Sequence, residues 1–144
     1  MEKTTAELAS ELSRAKDFER FKQNNAGEFK TPTPMDYLLE LLNAKNIKHT
    51  DATEKANISD SYGRRLFNGT LAPGRDHLLR YALAGNLTFD ETQTLLKYGK
   101  HAALYARDER DQVIIFAIQR HKSALEANIM LQDLGLTPLF NNKE

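Results

Sequence analysis

The stretch TEKANISDSYGRRLFNGTLAP, Thr53 to Pro73, holds two short helical segments and two turns. Asn57 can take the left-handed conformation that ends a helix, Ile58 can plug the corner, and Ser59 can cap the next helix. Thr53 supplies the small side chain against which a second helix can close. Leu66 and Phe67 give that second helix its buried side, and Asn68-Gly69 can end it. Two short helices joined at a steep angle by such a turn form a helix-turn-helix. In this register Ser59, Asp60, Ser61, Arg64, Arg65 and Asn68 share the outward face. Those side chains can donate to phosphates or read base edges, and the arginine forks pair bidentately with guanine or phosphate. The same spacing suits a merely solvated face with two arginines, and spacing alone does not separate the two.

Charge near this stretch is uneven. Arg64, Arg65, Arg75 and Arg80 are opposed only by Asp76 between Ser61 and Leu83. Lys45, Lys48, Lys55 and His77 extend the basic set, while Asp51, Glu54 and Asp60 dilute it. A positive band around Arg64, Arg65 and the helix that follows is therefore expected.

Working outward, the punctuation is that of helices. Thr4–Glu7, Thr88–Glu91 and Ser123–Glu126 fit the capping box, a hydroxyl followed three residues on by glutamate. Thr33-Pro34 is a further start, because proline at the first helical position loses no intrahelical bond. Gly27, Asn46, Gly69, Gly85, Gly99 and Gly135 are the expected stops. These marks predict about eight helices. The first carries Leu8, Leu12 and Ala15, with Phe18 and Phe21 continuing its stripe or opening a short helix at Asp17. The next, Pro34 to Ala44, buries Met35, Leu38, Leu39, Leu41 and Leu42. Further helices are expected near Thr50–Ala56, Asp60–Phe67, Arg75–Ala84, Phe89–Tyr98, Asp108–His121 and Ala124–Leu134. Val113-Ile114-Ile115-Phe116 has the composition of a strand, but no partner strand is signalled, so a central helix apolar on most sides is expected. No low-complexity stretch and no internal repeat stand out. Asn24 to Thr33 reads as a linker.

The chain has 144 residues and a formal net charge of zero, which argues against binding nucleic acid by bulk charge alone. Without cysteine there is no disulfide framework, thiolate metal site or thiol catalysis. His49, His77, His101 and His121 are scattered, which leaves no metal-ligand spacing. No nucleophile elbow or phosphate-cradling glycine loop occurs, so neither an enzyme nor a cofactor site is expected. The charged N-terminus and the short apolar run Val113–Ile118 predict no membrane span, and the expected location is cytoplasmic. Tyr98, Tyr105, Phe116 and Phe140 read as core or interface aromatics. Leu104, Tyr105, Val113, Ile114, Ile118 and Leu139 exceed what one helix pair easily hides, so core packing and self-association are both open.

The segment LLELLNAKNIKHTDATEKANISDSYGRRLFNGTLAPGRDHLLRYALAGNLTFDETQTLL resembles the lambda-repressor/Cro-like helix-turn-helix proteins, the XRE family. The order of parts is similar: a helix, the helix-turn-helix, a Gly69-to-Pro73 turn, a fourth helix, and a fifth opening Leu-Thr-Phe-Asp-Glu. SYGRRLFNG, PGRDHLL, LYARDERDQVIIFAI and EANIMLQDLGLTPL further resemble small regulators of Gram-positive bacteria and their mobile elements. The resemblance implies an all-α, multi-helix bundle on a five-helix core, with an N-terminal helical extension (1–30), a DNA-binding core (31–99) and a C-terminal helix pair (100–144). It implies a sequence-specific transcriptional regulator of double-stranded DNA, working as a homodimer, with residues 60–67 in the major groove. The family's groove-facing positions fall on Ser59, Asp60, Ser61, Arg64, Arg65 and Asn68, and its phosphate-positioning ones on His49 and Thr50. Gly63 departs from the family, which carries a branched apolar residue there. Either Tyr62 or Phe67 fills that space, or a backbone approaches closely. Asp60 also weighs against DNA contact, since a carboxylate near the helix start repels phosphate unless it accepts from a cytosine amine. Neutral charge, Gly63 and Asp60 favour an alternative: a helical adaptor that keeps the fold without DNA readout and binds a protein through its C-terminal helices.

Overall fold

The computed structural model describes residues 3–14 and 33–141, and within them the chain is all-helical. It divides into two units, Met1–Thr31 and Pro32–Glu144. The described part of the first unit is α1 (Thr5–Arg14), where Thr4 Oγ1 accepts from the Glu7 N–H at 3.1 Å. Leu12 on this helix is exposed. Ala15, Phe18, Phe21, the Gly27 stop and most of the Asn24–Thr33 linker lie outside the described residues.

The second unit is a bundle of α2 (Pro34–Ala44), α3 (His49–Lys55), α4 (Asp60–Phe67), α5 (Arg75–Ala84), α6 (Phe89–Tyr98), α7 (Glu109–Gln119) and α8 (Ala124–Asp133). Thr33 caps α2 through the Asp36 N–H, with Pro34 in its first turn. Full capping boxes open α6 at Thr88 and α8 at Ser123. Burial pushes the Glu91 carboxyl up, but the Thr88 backbone N–H and Lys45 outweigh it and hold the pKa below the ordinary value. Glu126 is likewise held low by the Ser123 N–H.

Helices α2, α3 and α4 pack on one another and onto the α5–α6 hairpin, and the α7–α8 hairpin packs on α5 and α6. The central helix is α5, buried at every residue from Leu78 to Ala84. This corrects the expectation for Val113–Phe116: that segment is helical, but Phe116 is exposed while Val113 and Ile114 are buried. Met35, Leu38 and Leu42 are buried on α2, whereas Leu39 and Leu41 are half-buried. Leu104, Val113, Ile114, Ile118 and Leu139 all enter the core, and Tyr105 does not.

One turn recurs throughout. After α2, α3, α5, α6, α7 and α8 a left-handed residue follows the last helical turn, and two backbone bonds close it. In α5, for example, Asn86 N–H donates to Leu83 O and Leu87 N–H to Ala82 O. The left-handed residues are Asn46, Asn57, Asn86, Lys100, His121 and Gly135. Gly85 and Gly99, expected to take this conformation, do not. They pass it to the next residue because their own role is close approach: a Cβ at either would meet a leucine methyl of another helix at 2.7 Å.

The structure also reveals an internal repeat that the sequence conceals. At a constant offset, Arg75–Tyr105 corresponds to Arg110–Phe140. Identity is confined to Arg75/Arg110, Asp76/Asp111, Ala82/Ala117, Glu91/Glu126, Leu96/Leu131 and Leu104/Leu139. The structural matches are closer. Asn86 and His121 both have φ of 54°. Thr88 and Ser123 both open capping boxes. Arg75 Nε and Nη2 donate to Ala102 O and Ala103 O, and Arg110 Nε and Nη2 donate to Thr137 O and Pro138 O. The Gln93 amide accepts from the Leu104 N–H and donates to its carbonyl. The Asn128 amide accepts from Leu139 and Phe140 and donates to Phe140 O. The two copies are then cross-linked reciprocally: Arg75 pairs bidentately with Asp111, and Arg110 with Asp76.

Candidate nucleic-acid interface

The turn between α3 and α4 is Ala56-Asn57-Ile58-Ser59. Asn57 has φ of 61°, Ile58 is buried, and Ser59 Oγ accepts from the Tyr62 N–H at 3.3 Å. Each of these three residues does what its side chain predicts. The end of α3 has a further partner: Arg80, only 1 % exposed, donates Nε to Ala56 O and Nη2 to Asn57 O. Its guanidinium also lies 4.9 Å from the Phe140 ring centroid. A buried arginine thus satisfies carbonyls that the helix end leaves without partners.

Gly63 sits where α4 crosses α3, and a Cβ there would lie 2.5 Å from Thr53 Cγ2. Neither Tyr62 nor Phe67 fills the space. Tyr62 stacks on His77, and Phe67 packs edge-on against Tyr81. Thr53 fills it instead, with its hydroxyl 2.7 Å from both His49 O and the Tyr81 hydroxyl. The single Thr53 proton goes to His49 O, so Tyr81 donates to Thr53. Burial raises the Tyr81 pKa, and the Thr53 bond only partly offsets this, so the phenol keeps its proton to donate. Glycine at 63 therefore lets α4 approach α3 closely, seated on a bonded Thr53–Tyr81 pair.

On the outward side, Ser61, Arg64, Arg65 and Asn68 are exposed and Ser59 is half-buried. Asp60 Oδ2 lies 3.2 Å from Arg64 Nη2, with both side chains about 70 % exposed, so the pair contributes little to stability. Asn68 Oδ1 accepts from the Thr70 N–H at 2.9 Å, which engages that oxygen within its own turn. Thr50, Ser59 and Asp60 line one cleft of about 440 Å³ between α3 and α4, together with Asp51 and Glu54. His49 is placed apart from them, its ring 5.0 Å from that of Phe67.

The expected basic band is not assembled as the sequence suggested. Arg75 is committed to Asp111 and two carbonyls, and Arg80 is buried. Lys45 pairs with Glu91 at 3.2 Å, and His77 stacks on Tyr62. Lys48 and Lys55 remain exposed with Arg64 and Arg65. Sequence reasoning missed Arg80 and Tyr81 as the residues that set the turn and seat α4. The signal was an arginine in LLRYALA, where apolar neighbours surround it on every side of one helix. Among the described residues no group of three or more His, Asp and Glu is placed to hold a metal ion. No helix among them is long and apolar enough to cross a membrane. No family model, curated protein or solved structure matches the chain.

Proposed function

We propose that this chain is a sequence-specific, double-stranded DNA-binding transcriptional regulator of the lambda-repressor/Cro-like type, with α4 entering the major groove. The observation that carries this reading is α4 itself. It is capped by Ser59 after a left-handed Asn57, held close to α3 through Gly63, and turns Ser61, Arg64 and Arg65 to solvent. A rigid short helix with two exposed guanidinium forks suits bidentate contact with guanine. Arg64 and Arg65 are the residues assigned to base edges, and Thr50 at the start of α3 to phosphate.

The test is selection of genomic fragments with the purified chain, followed by titration of the selected duplex. Arg64→Ala and Arg65→Ala each weaken that complex by about 1–3 kcal/mol. Folded variants that bind the same duplex unchanged at physiological salt sink the proposal. A second reading, a helical adaptor without DNA readout, draws on the commitment of Arg75 and Arg80 to internal partners and on the acids Asp51, Glu54 and Asp60 beside α4. It predicts no salt-dependent affinity for any duplex.

A further inference from the structure

The two arginines of α4 have different surroundings. Arg65 forms no ion pair among the described residues, whereas Arg64 Nη2 lies 3.2 Å from Asp60 Oδ2, one helical turn earlier. Acid before base is the favourable order along a helix, and the positive end of α4 suits a carboxylate in its first turn. So exposed a pair adds little stability, but it restrains a side chain that otherwise samples many rotamers. It also offsets the charge that would draw Arg64 to phosphate. The contact occupies at most one Nη2 hydrogen, and the other, with those of Nη1, remains as a fork. Asp60 Oδ1 has no partner among the described residues and can accept.

A guanidinium fork beside a carboxylate presents two donors next to an acceptor. In the major groove a G·C pair presents the complement, guanine N7 and O6 as acceptors beside the N4 amine of cytosine. An A·T pair places an amine where the fork donates and a carbonyl where the carboxylate accepts, so it opposes the pair at both points. We propose that Asp60 and Arg64 act as one unit that reads a single G·C base pair. Arg64 donates to guanine O6 and N7, and Asp60 Oδ1 accepts from the N4 amine of the paired cytosine. Asp60 is then a specificity-determining residue, and its repulsion of phosphate is part of its use. The inference rests on the reading of α4 as a groove-entering helix and adds the base pair that it selects.

The experiment measures Kd of the full chain on the duplex it selects, on that duplex with each G·C pair changed in turn to A·T, and on an unrelated duplex. One such change weakens the wild type by about tenfold or more. The same change alters binding by Asp60→Ala and Arg64→Ala chains only within about twofold, while changes elsewhere cost them what they cost the wild type. Asp60→Ala also binds the unrelated duplex more tightly, with a salt slope steeper by about one, because Arg64 is freed for phosphate. Tighter unspecific binding with lost selectivity is a combination that a loosened α4 does not give. A selective wild type matched by an equally selective Asp60→Ala chain overturns this inference alone. So does an Asp60→Ala chain that loses affinity for every duplex alike, which marks a structural role. A wild type that prefers no duplex overturns it together with the reading of α4.

Discussion

The two hairpins of this protein have the same turns, the same capping boxes and the same side-chain clamps on the segment that follows them, yet they live in different surroundings. The first is buried on both sides, between the α2–α4 layer and its own copy. The second packs on one side and leaves Phe116, Leu125 and Ile129 in water on the other. The difference separates what makes the hairpin from what it is used for. Backbone turns and amide clamps are retained in both copies, while the faces are free to diverge. Arg80, at the centre of the first copy, has become Ile115 in the second, because only the first has a helix end to satisfy there.

The largest effect is expected where the copies are bolted together. Asp111 is 8 % exposed in its side chain and Asp76 is 40 % exposed. Arg75→Ala strands a buried carboxylate and should cost about 3–5 kcal/mol in chemical denaturation. Arg110→Ala leaves a half-wet one and should cost clearly less, about 1–2 kcal/mol. Equal losses would show that the two reciprocal pairs are equivalent after all.

A smaller effect tests the load that only the first hairpin carries. Gly63→Ala gains helix propensity but drives a Cβ into Thr53 Cγ2 at 2.5 Å, so a net loss of about 1–2 kcal/mol is expected. Thr53→Ser removes that methyl and keeps the hydroxyl bonded to His49 O and Tyr81. The double variant should therefore recover most of the loss by thermal unfolding. If it does not, Gly63 is required for some reason other than contact with Thr53.

The smallest effect concerns acid. Glu91 and Glu126 occupy matching capping boxes, and both have pKa values below the ordinary 4.5. A carboxylate whose folded pKa lies under its unfolded one stabilises fully above the unfolded value. That contribution is lost as pH falls through the lower, folded pKa. Glu91→Gln and Glu126→Gln should each flatten the decline of Tm below about pH 4.5.

How much of this could be read beforehand follows from the range of the interactions. Caps and turns are local, so Thr33-Pro34, Asn57-Ile58-Ser59 and the Thr88 box mark α2, α4 and α6 from the sequence itself. Arg75 and Arg80 read as surface charge because their partners, Asp111 and the end of α3, lie far along the chain. The repeat stayed hidden for a related reason. Its most specific members, the Gln93 and Asn128 amides, act on backbone atoms and so impose no residue type on the partner segment. Apolar periodicity registers none of this. At the candidate interface the turn and Thr53 as the small residue beneath α4 were legible, whereas the pairing of Thr53 with Tyr81 was not, because Tyr81 lies 28 residues further along the chain.

The recurring left-handed turn also says something about how far this chain is from its own optimum. At the two hairpin turns the first copy has Asn86 and the second His121; at the two hairpin ends the first has Lys100 and the second Gly135. Asparagine and glycine tolerate that backbone, whereas lysine and histidine hold it at a cost of about 1 kcal/mol each. Each copy thus carries the better residue at one end and the worse at the other. The protein contains, within its own sequence, instructions for a sturdier version of itself that selection has had no need to read.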